Sequence, residues 1–251
     1  MWRLFVAELV GTALLLLAGL SIVIFMLGTG SPMERVLPSV VQRQVITGFL
    51  FGCVGATIAV SAIGKESGAH INPAVTLGFW LMQKLDTRTA LGYVCAQLIG
   101  AVLGSLPLLA WGSIGKSVDF GATVPGAGYS TSMVLLGEAI TTFALIGGLC
   151  TFIGFRNLRR FTPAMIPVLY GVMVPLEAAI SGTSTNPART LGPALISGRW
   201  DGWWIYWIGP FLGTVTAIVV CGALAHRIEV AKLYHFESDR RRVFHRMAGS
   251  A

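Results

Sequence analysis

Two short polar phrases interrupt an otherwise apolar chain, and they hold the side chains best suited to chemistry. They read Ser67-Gly68-Ala69-His70-Ile71-Asn72-Pro73-Ala74 and Ser181-Gly182-Thr183-Ser184-Thr185-Asn186-Pro187-Ala188-Arg189. An Asn amide donates and accepts hydrogen bonds, and backbone carbonyls accept them. Neither group makes or breaks covalent bonds, so the chemistry we expect here is the brief solvation of small polar molecules.

Each phrase predicts the start of a short helix. Asn is a preferred N-cap, and Pro is tolerated at the first helical position because its missing N–H leaves nothing unsatisfied there. The apolar segments that follow, Ala74–Met82 and Ala188–Ile196, are only about half as long as the roughly 20 residues needed to cross a bilayer core. We therefore expect two re-entrant half-helices.

The composition places these half-helices in a membrane protein. The chain has 251 residues, of which 54% are hydrophobic and 12% charged, and its mean hydropathy is +0.73. These values lie far outside the range of soluble domains, so the lipid bilayer is the first expected partner. Uncharged or nearly uncharged stretches predict six spans: Leu4–Leu27, Val45–Ile63, Ala90–Trp111, Met133–Phe155, Ala164–Ile180 and Trp203–Ala225.

Basic residues predict the orientation of the six spans, because Lys and Arg in short loops prefer the cytoplasmic side. In a six-span layout they fall on one side: Arg3, Lys65, Lys84, Arg88, Arg156, Arg159, Arg160 and the tail from Arg227 to Arg246. Both termini are then cytoplasmic, and the short loops favour a bacterial inner (plasma) membrane. This asymmetry accounts for most of the net charge of +7, so no nucleic-acid partner is expected.

An internal repeat predicts the architecture. The segment Ala7–Thr12 resembles Gly137–Thr142, and Tyr93–Gly104 resembles Tyr206–Thr216. Each repeat, about 1–112 and 131–226, holds three spans and one half-helix, and an odd number of spans inverts the second repeat in the membrane. We predict an all-α membrane protein with six transmembrane helices and two re-entrant half-helices in one channel domain, 1–226. A basic cytoplasmic tail, 227–251, follows; its part Phe236 to Arg246 is either solvated or in contact with anionic lipid.

The inverted half-helices predict a pore. Their N-termini meet near the bilayer midplane, and non-helical backbone is tolerated there only inside protein or along a water-filled cavity. The carbonyls of 68–71 and 182–185 then line the pore as acceptors, Asn72 and Asn186 donate at its centre, and His70 lies near the cytoplasmic mouth.

Two intramembrane carboxylates, Glu8 and Glu138, occupy matching positions in the repeats. Such a group costs about 2.5–3.5 kcal/mol at a helix centre unless its oxygens find partners. The symmetry favours a structural role in which each accepts hydrogen bonds from the neighbouring re-entrant loop. A proton relay is the alternative.

We find no sequence motif that is typical of a catalytic or metal-binding site. The cysteines Cys53, Cys95, Cys150 and Cys221 lie in apolar spans without the spacing of a metal site. No phosphate-cradling glycine loop is present. We therefore expect no enzyme activity, no cofactor and no bound metal.

The paired Asn-Pro-Ala phrases, the Arg189 that follows the second one and the two Glu residues resemble the aquaporin, or major intrinsic protein, family up to about Arg227. The resemblance implies a homotetramer with one pore per protomer that passively conducts water or small uncharged solutes. The sequences of Asn186–Leu195 and Trp204–Pro210 are similar to those of the nodulin-like branch and its bacterial relatives.

The same resemblance implies a selectivity filter, which spacing from the two Asn residues assigns to Gly52, Val174, Thr183 and Arg189. Water-specific members place Phe and His at the first two positions. Their loss predicts a wide, non-aromatic filter for glycerol-like polyols and neutral metalloid hydroxides such as arsenous acid, because pore selectivity follows diameter and lining donors. Gly52 also completes a Gly48-x-x-x-Gly52 helix-packing pattern, and a one-residue insertion would place Phe51 in the filter instead.

Three other functions stay open, and one of them is a purely structural membrane role such as junction formation. A water-selective channel is favoured by Ala194 and the pair Tyr206-Trp207. A secondary transporter is the alternative of another class, because many transporters share inverted repeats and broken helices.

Overall fold

The computed structural model describes residues 1–229 and 231–233. The regular secondary structure of this part of the chain is entirely helical, without β-strands. Most of the predicted basic tail, including Phe236 to Arg246, lies outside the described residues.

The described residues contain eight principal helices, of which six correspond to the predicted spans and two to the half-helices. Their bounds are α1 Trp2–Leu27, α2 Val40–Val60, α3 Pro73–Leu81, α4 Thr87–Ser105, α5 Thr131–Gly154, α6 Thr162–Glu177, α7 Pro187–Ser197 and α8 Ile205–Val220. Helices α3 and α7 are the half-helices. Short α-helices lie between or after them at Met33–Val36, Ala62–Ser67, Gly112–Lys116 and Gly222–Ala225, with 3₁₀ turns at Leu106–Trp111, Asp119–Gly121 and Arg159–Phe161.

Four helical regions of the described chain are long and apolar enough to cross a membrane: Trp2–Leu27, Val40–Val60, Thr87–Lys116 and Thr131–Gly154. The other two predicted spans are shorter as helices, since α6 and α8 have 16 residues each. The third span is continuous, but its α-helix ends at Ser105 and a 3₁₀ turn follows. Pro107 favours this change because it has no N–H to donate to an α-helical hydrogen bond.

The helices pack as two copies of one unit. In the first half α1 packs against α2 and α4, and in the second α5 packs in the same way against α6 and α8. Helices α2 and α6, which are equivalent, pack against each other across the centre. Each half-helix also crosses over: α3 contacts α8, and α7 contacts α4. This is the predicted inverted repeat.

Small residues make the closest contacts between spans. A Cβ added to Gly100 on α4 would lie 2.3 Å from the carbonyl oxygen of Leu9, and one added to Gly213 on α8 would lie 2.2 Å from that of Ala139. The two glycines hold equivalent positions in the repeats. Each therefore allows backbone-to-backbone approach of the first and last span of its half.

Candidate pore

The two half-helices begin at their Asn residues. Asn72 accepts a hydrogen bond at Oδ1 from the N–H of Ala74 at 2.8 Å, and Asn186 accepts one from the N–H of Ala188 at 3.0 Å. Pro73 and Pro187 follow as the first helical residues. The N-terminal N–H groups of α3 and α7 are thus capped from within each phrase.

The same Asn residues join the halves. Nδ2 of Asn72 donates to the carbonyl of Thr185 at 2.9 Å, and Nδ2 of Asn186 donates to the carbonyl of Ile71 at 2.9 Å. An amide group has two N–H hydrogens. One from each Asn therefore holds the opposite loop, and the second is left for another acceptor.

The loops before the half-helices adopt left-handed backbone in matching order. Positive φ values occur at Gly68 (98°), Ala69 (53°) and Ile71 (42°) in one loop, and at Gly182 (86°), Thr183 (53°) and Thr185 (53°) in the other. Non-glycine residues pay for this conformation and keep it only where surrounding contacts over-determine it.

Glu8 supplies those contacts in the first half. It is fully buried on α1, and its two oxygens accept from the Ser67 hydroxyl at 2.6 Å, the N–H of His70 at 2.9 Å, the N–H of Ile71 at 2.7 Å and the Gln97 amide at 2.7 Å. Four donors surround one carboxylate, which compensates its burial.

Glu138 makes the equivalent set on α5. It accepts from the Ser181 hydroxyl at 2.5 Å, the N–H of Ser184 at 2.7 Å and the N–H of Thr185 at 2.8 Å. The repeats differ at the fourth donor, because the residue of α8 equivalent to Gln97 is Pro210.

Two buried tyrosines hold the first residue of each loop. The hydroxyl of Tyr93 donates to the carbonyl of Ser67 at 2.7 Å, and that of Tyr206 donates to the carbonyl of Ser181 at 2.8 Å. Sequence reasoning noted both residues as a repeat marker, and Tyr206 as a feature typical of water channels, but assigned neither a structural role. The sequence signal that could have indicated this role is the similar spacing of each Tyr from the Ser-Gly pair of its own repeat.

Two cavities lie along the axis between the halves. The larger, about 220 Å³, is bordered by residues that include Val174, Gly182, Thr183 and Arg189. The smaller, about 60 Å³, is bordered by residues that include His70, Asn72, Asn186 and Leu233. Both exceed the roughly 10–15 Å³ that a water molecule requires. We call the end of the smaller cavity at His70 and Leu233 the His70 mouth.

Phe51 and Tyr170 stand between the cavities, since both residues border each of them. Their ring centroids are 6.0 Å apart with the planes at 33°. The Tyr170 hydroxyl lies 2.6 Å from Oγ1 of Thr185. Sequence reasoning missed Tyr170, although its place one helical turn before Val174 puts the two on one face of α6.

The position of Gly52 differs from its sequence assignment to the filter. A Cβ on Gly52 would lie 2.6 Å from Cα of Pro167, and one on Gly48 would lie 2.2 Å from the carbonyl oxygen of Tyr170. The glycine face of α2 is therefore turned toward the backbone of α6, as in the helix-packing alternative. Gly52 borders the smaller cavity, whereas Phe51 borders the cavity that also holds Val174, Thr183 and Arg189.

Arg189 lies in the first turn of α7 and is 7% exposed. Its Nη1 donates to the carbonyl of Gly121 at 2.6 Å. A guanidinium has five N–H donors in a fixed fork. The hydrogen bond to Gly121 thus holds one part of the guanidinium in place. The side chain borders the larger cavity and is the positively charged group among its lining residues.

His70 lies at the opposite end, with 1% of its surface exposed. Its ring is stacked on Phe79 at 4.7 Å, Nδ1 lies 3.2 Å from Oγ1 of Thr76 and Nε2 lies 3.2 Å from the carbonyl oxygen of Ala231. A carbonyl can only accept, so Nε2 carries the proton in this contact.

Comparison with known proteins agrees with this geometry. Residues 1–221 match the family model described as major intrinsic protein. The chain is 34% identical over 232 residues to aquaporin AqpM of Methanothermobacter marburgensis, covering 84% of this chain and 93% of that protein. It is 35% identical over 216 residues to aquaporin-5 of Rattus norvegicus, covering 81% and 76%. The fold is similar to the solved aquaglyceroporin from Plasmodium falciparum, with a TM-score of 0.65 and 21% identity over 89% of this chain and 98% of that one.

Proposed function

The chain belongs to the major intrinsic protein family, and from that premise we propose that it passively conducts water and small uncharged solutes through a filter of Phe51, Val174, Thr183 and Arg189. Family membership already makes it a membrane channel and not an enzyme. The observation that carries the proposed filter is the larger cavity, which all four residues border.

The filter residues suggest how solutes are chosen. Phe51 gives one aromatic wall, Val174 gives an aliphatic one, and Thr183 and Arg189 contribute polar groups. This filter is narrower than one walled by glycine, so the wide non-aromatic filter expected from the spacing is not retained. Since Val174 replaces an imidazole donor with a methyl surface, size governs entry more than hydrogen bonding does. Water passes fastest, and glycerol-like polyols and neutral metalloid hydroxides such as arsenous acid pass more slowly.

The centre of the pore acts on hydrogen bonds and charge. The free amide hydrogens of Asn72 and Asn186 donate to the oxygen of a passing solute, which interrupts a proton-conducting chain of waters. The N-termini of α3 and α7 both point to this junction, and their dipoles place positive potential there. Together with Arg189 they oppose cations and protons.

The contacts of Glu8 and Glu138 support a structural role rather than a proton relay. Their oxygens already accept hydrogen bonds from the loops that carry the Asn residues. We also propose that the channel is a homotetramer in the inner (plasma) membrane and that both of its termini are cytoplasmic.

One observation favours the water-selective alternative, namely the aromatic wall that Phe51 adds. Stopped-flow light scattering on proteoliposomes, with water, glycerol, urea and arsenous acid, separates the two. The panel is run on the full chain and on a chain that ends at Arg227, because Leu233 borders the smaller cavity. We expect water flux together with slower glycerol flux. Water flux alone would establish the selective channel, and no flux from either chain would contradict the proposed function.

A further inference from the structure

The last described residues of the chain are buried in the His70 mouth. After the short helix Gly222–Ala225, four side chains among the last described residues are nearly inaccessible: Ile228 is 1% exposed, Ala231 0%, Lys232 2% and Leu233 5%. The three apolar residues belong to the same core as Phe79 and Ile166. We call the described residues 228–229 and 231–233 the closing segment.

The closing segment occupies hydrogen-bonding groups of the first re-entrant loop. The N–H of Leu233 donates to the carbonyl of Gly68 at 3.2 Å, and the carbonyl of Ala231 accepts from Nε2 of His70 at 3.2 Å. Nζ of Lys232 donates to the carbonyl of Lys65 at 2.9 Å. Gly68 and His70 belong to the re-entrant loop, and Lys65 belongs to the short helix Ala62–Ser67 that precedes it.

The segment also covers the space in front of the loop. Leu233 borders the smaller cavity together with His70 and Asn72. A Cβ on Gly68 would lie 2.5 Å from the carbonyl oxygen of Ala231. His70 is 1% exposed, and the carbonyl of Ala231 is one of the groups that cover its ring.

Arg159 fastens the start of the closing segment to the turn between α5 and α6. Its Nη2 donates to the carbonyl of Arg227 at 2.6 Å, its Nε donates to that of Ile153 at 2.6 Å, and its Nη1 pairs with the carboxylate of Glu229 at 2.9 Å. The segment is therefore held at its base as well as at its tip.

We propose that the closing segment is an intramolecular plug that shuts the His70 mouth, so that the chain folds into a closed channel and opens when the segment leaves. The inference rests on the proposed function, since a plug has meaning only for a conducting pore.

Three variants of the chain test the plug. The first ends at Arg227 and lacks the segment, and the second ends at Leu233 and keeps it, which makes it the matched control. The third is the full chain with Leu233→Asp, which places a charge in an apolar seat. We expect the first and third to raise water permeability per folded protein about tenfold over the full chain, as release from a dominant closed state predicts. The second should equal the full chain.

The outcomes separate the plug from the channel itself. Equal permeability of the full chain and the chain ending at Arg227 would overturn the plug and leave the channel intact. Opening of the chain ending at Leu233 to the same extent would also overturn it, because the segment is still present there. A folded chain ending at Arg227 that conducts nothing would overturn both proposals.

A labelling measurement tests the seat of the segment without any flux. In a background free of native cysteines, Leu233→Cys should resist a membrane-impermeant thiol reagent in detergent-free vesicles that expose this face. Glu229→Cys, on the exposed side of the same segment, should react as the control. Labelling of both positions at the same rate would show that the segment is not seated in the mouth.

Discussion

Phe51 and Tyr170 face each other with their ring centroids 6.0 Å apart, and together they separate the larger cavity from the smaller one. One residue comes from α2 and the other from α6, the two helices that meet across the repeat. We expect a pair at this place to control passage between the proposed filter and the Asn junction. Selectivity of the channel should therefore depend on the packing of α2 on α6.

Replacing Phe51 by Ala should widen the passage. Removing an aromatic wall between two cavities enlarges the opening without touching Arg189, so the ratio of glycerol to water permeability should rise several-fold. Proteoliposome light scattering measures both. Phe49→Ala, an exposed ring on the same helix, is the matched control and should leave the ratio unchanged. The filter assignment fails if the two variants behave alike.

Replacing Val174 by His should act in the opposite direction. A larger ring with a donor narrows the larger cavity and adds a hydrogen-bonding group for water, so glycerol permeability should fall while water permeability is kept. The same light-scattering panel measures the change. Val172→His, on the exposed side of α6, controls for the added imidazole. Unaltered glycerol flux in a folded Val174→His protein would remove Val174 from the filter.

Glu8→Gln should destabilise the protein strongly even though the shapes are similar. Both carboxylate oxygens accept from donors, so either orientation of a Gln amide sets an NH₂ group against N–H or O–H donors. Two buried donors lose their acceptor, at about 1–3 kcal/mol each. Thermal unfolding in detergent measures the loss, with Asp201→Asn in an exposed ion pair as the control expected near 0–1 kcal/mol. A melting temperature equal to that of the control would contradict the structural role of the Glu8 hydrogen bonds.

Gly100→Ala should weaken the contact of α1 with α4. The added methyl would lie 2.3 Å from the carbonyl oxygen of Leu9, and overpacking of this kind costs about 1–3 kcal/mol. Gly147→Ala makes the same chemical change on α5, where no heavy atom lies within 4 Å of the new Cβ. The yield of folded protein and its thermal stability should fall for the first and not for the second. Equal behaviour would show that the helices can shift apart at no cost.

Asp86 predicts a pH dependence at the start of α4. Burial raises the pKa of Asp86, but hydrogen bonds from the hydroxyl and N–H of Thr89 outweigh it and hold the pKa below its ordinary value. A depressed carboxyl pKa contributes stability above the unfolded pKa that is lost as pH falls through the folded pKa. Asp86→Ala should therefore cost about 0.5–2 kcal/mol at neutral pH, and melting curves at decreasing pH should show the gap closing. If the difference in stability between the natural protein and Asp86→Ala does not depend on pH, ionised Asp86 is not the stabilising N-cap.

The half-helices could be predicted almost to the residue, because their start is set by local capping chemistry. The expected Ala74–Met82 and Ala188–Ile196 correspond to Pro73–Leu81 and Pro187–Ser197. The packing of the repeats could also be predicted, since small residues in register mark it.

The choice between Phe51 and Gly52 could not be made by counting. The count from Asn72 crosses the break at Ser61 and the short helix Ala62–Ser67, where one inserted residue shifts every position before it. Tyr170 and the closing segment were missed for another reason. Their roles come from partners far away in the chain, such as the contact of Ala231 with His70, which no local pattern encodes.

The exchange of half-helices between the two halves makes the order of synthesis matter. Helix α3 finds its partner α8 only after nearly the whole chain has been made, and the hydroxyl of Thr214 reaches the carbonyl of Ala74 at 3.3 Å across that distance. Each half therefore completes part of its packing only when the other half is present, and such long-range contacts form late in folding. Translation therefore completes the wall of the pore only when α8 has been made, and the closing segment that we propose as a plug is synthesised directly after it.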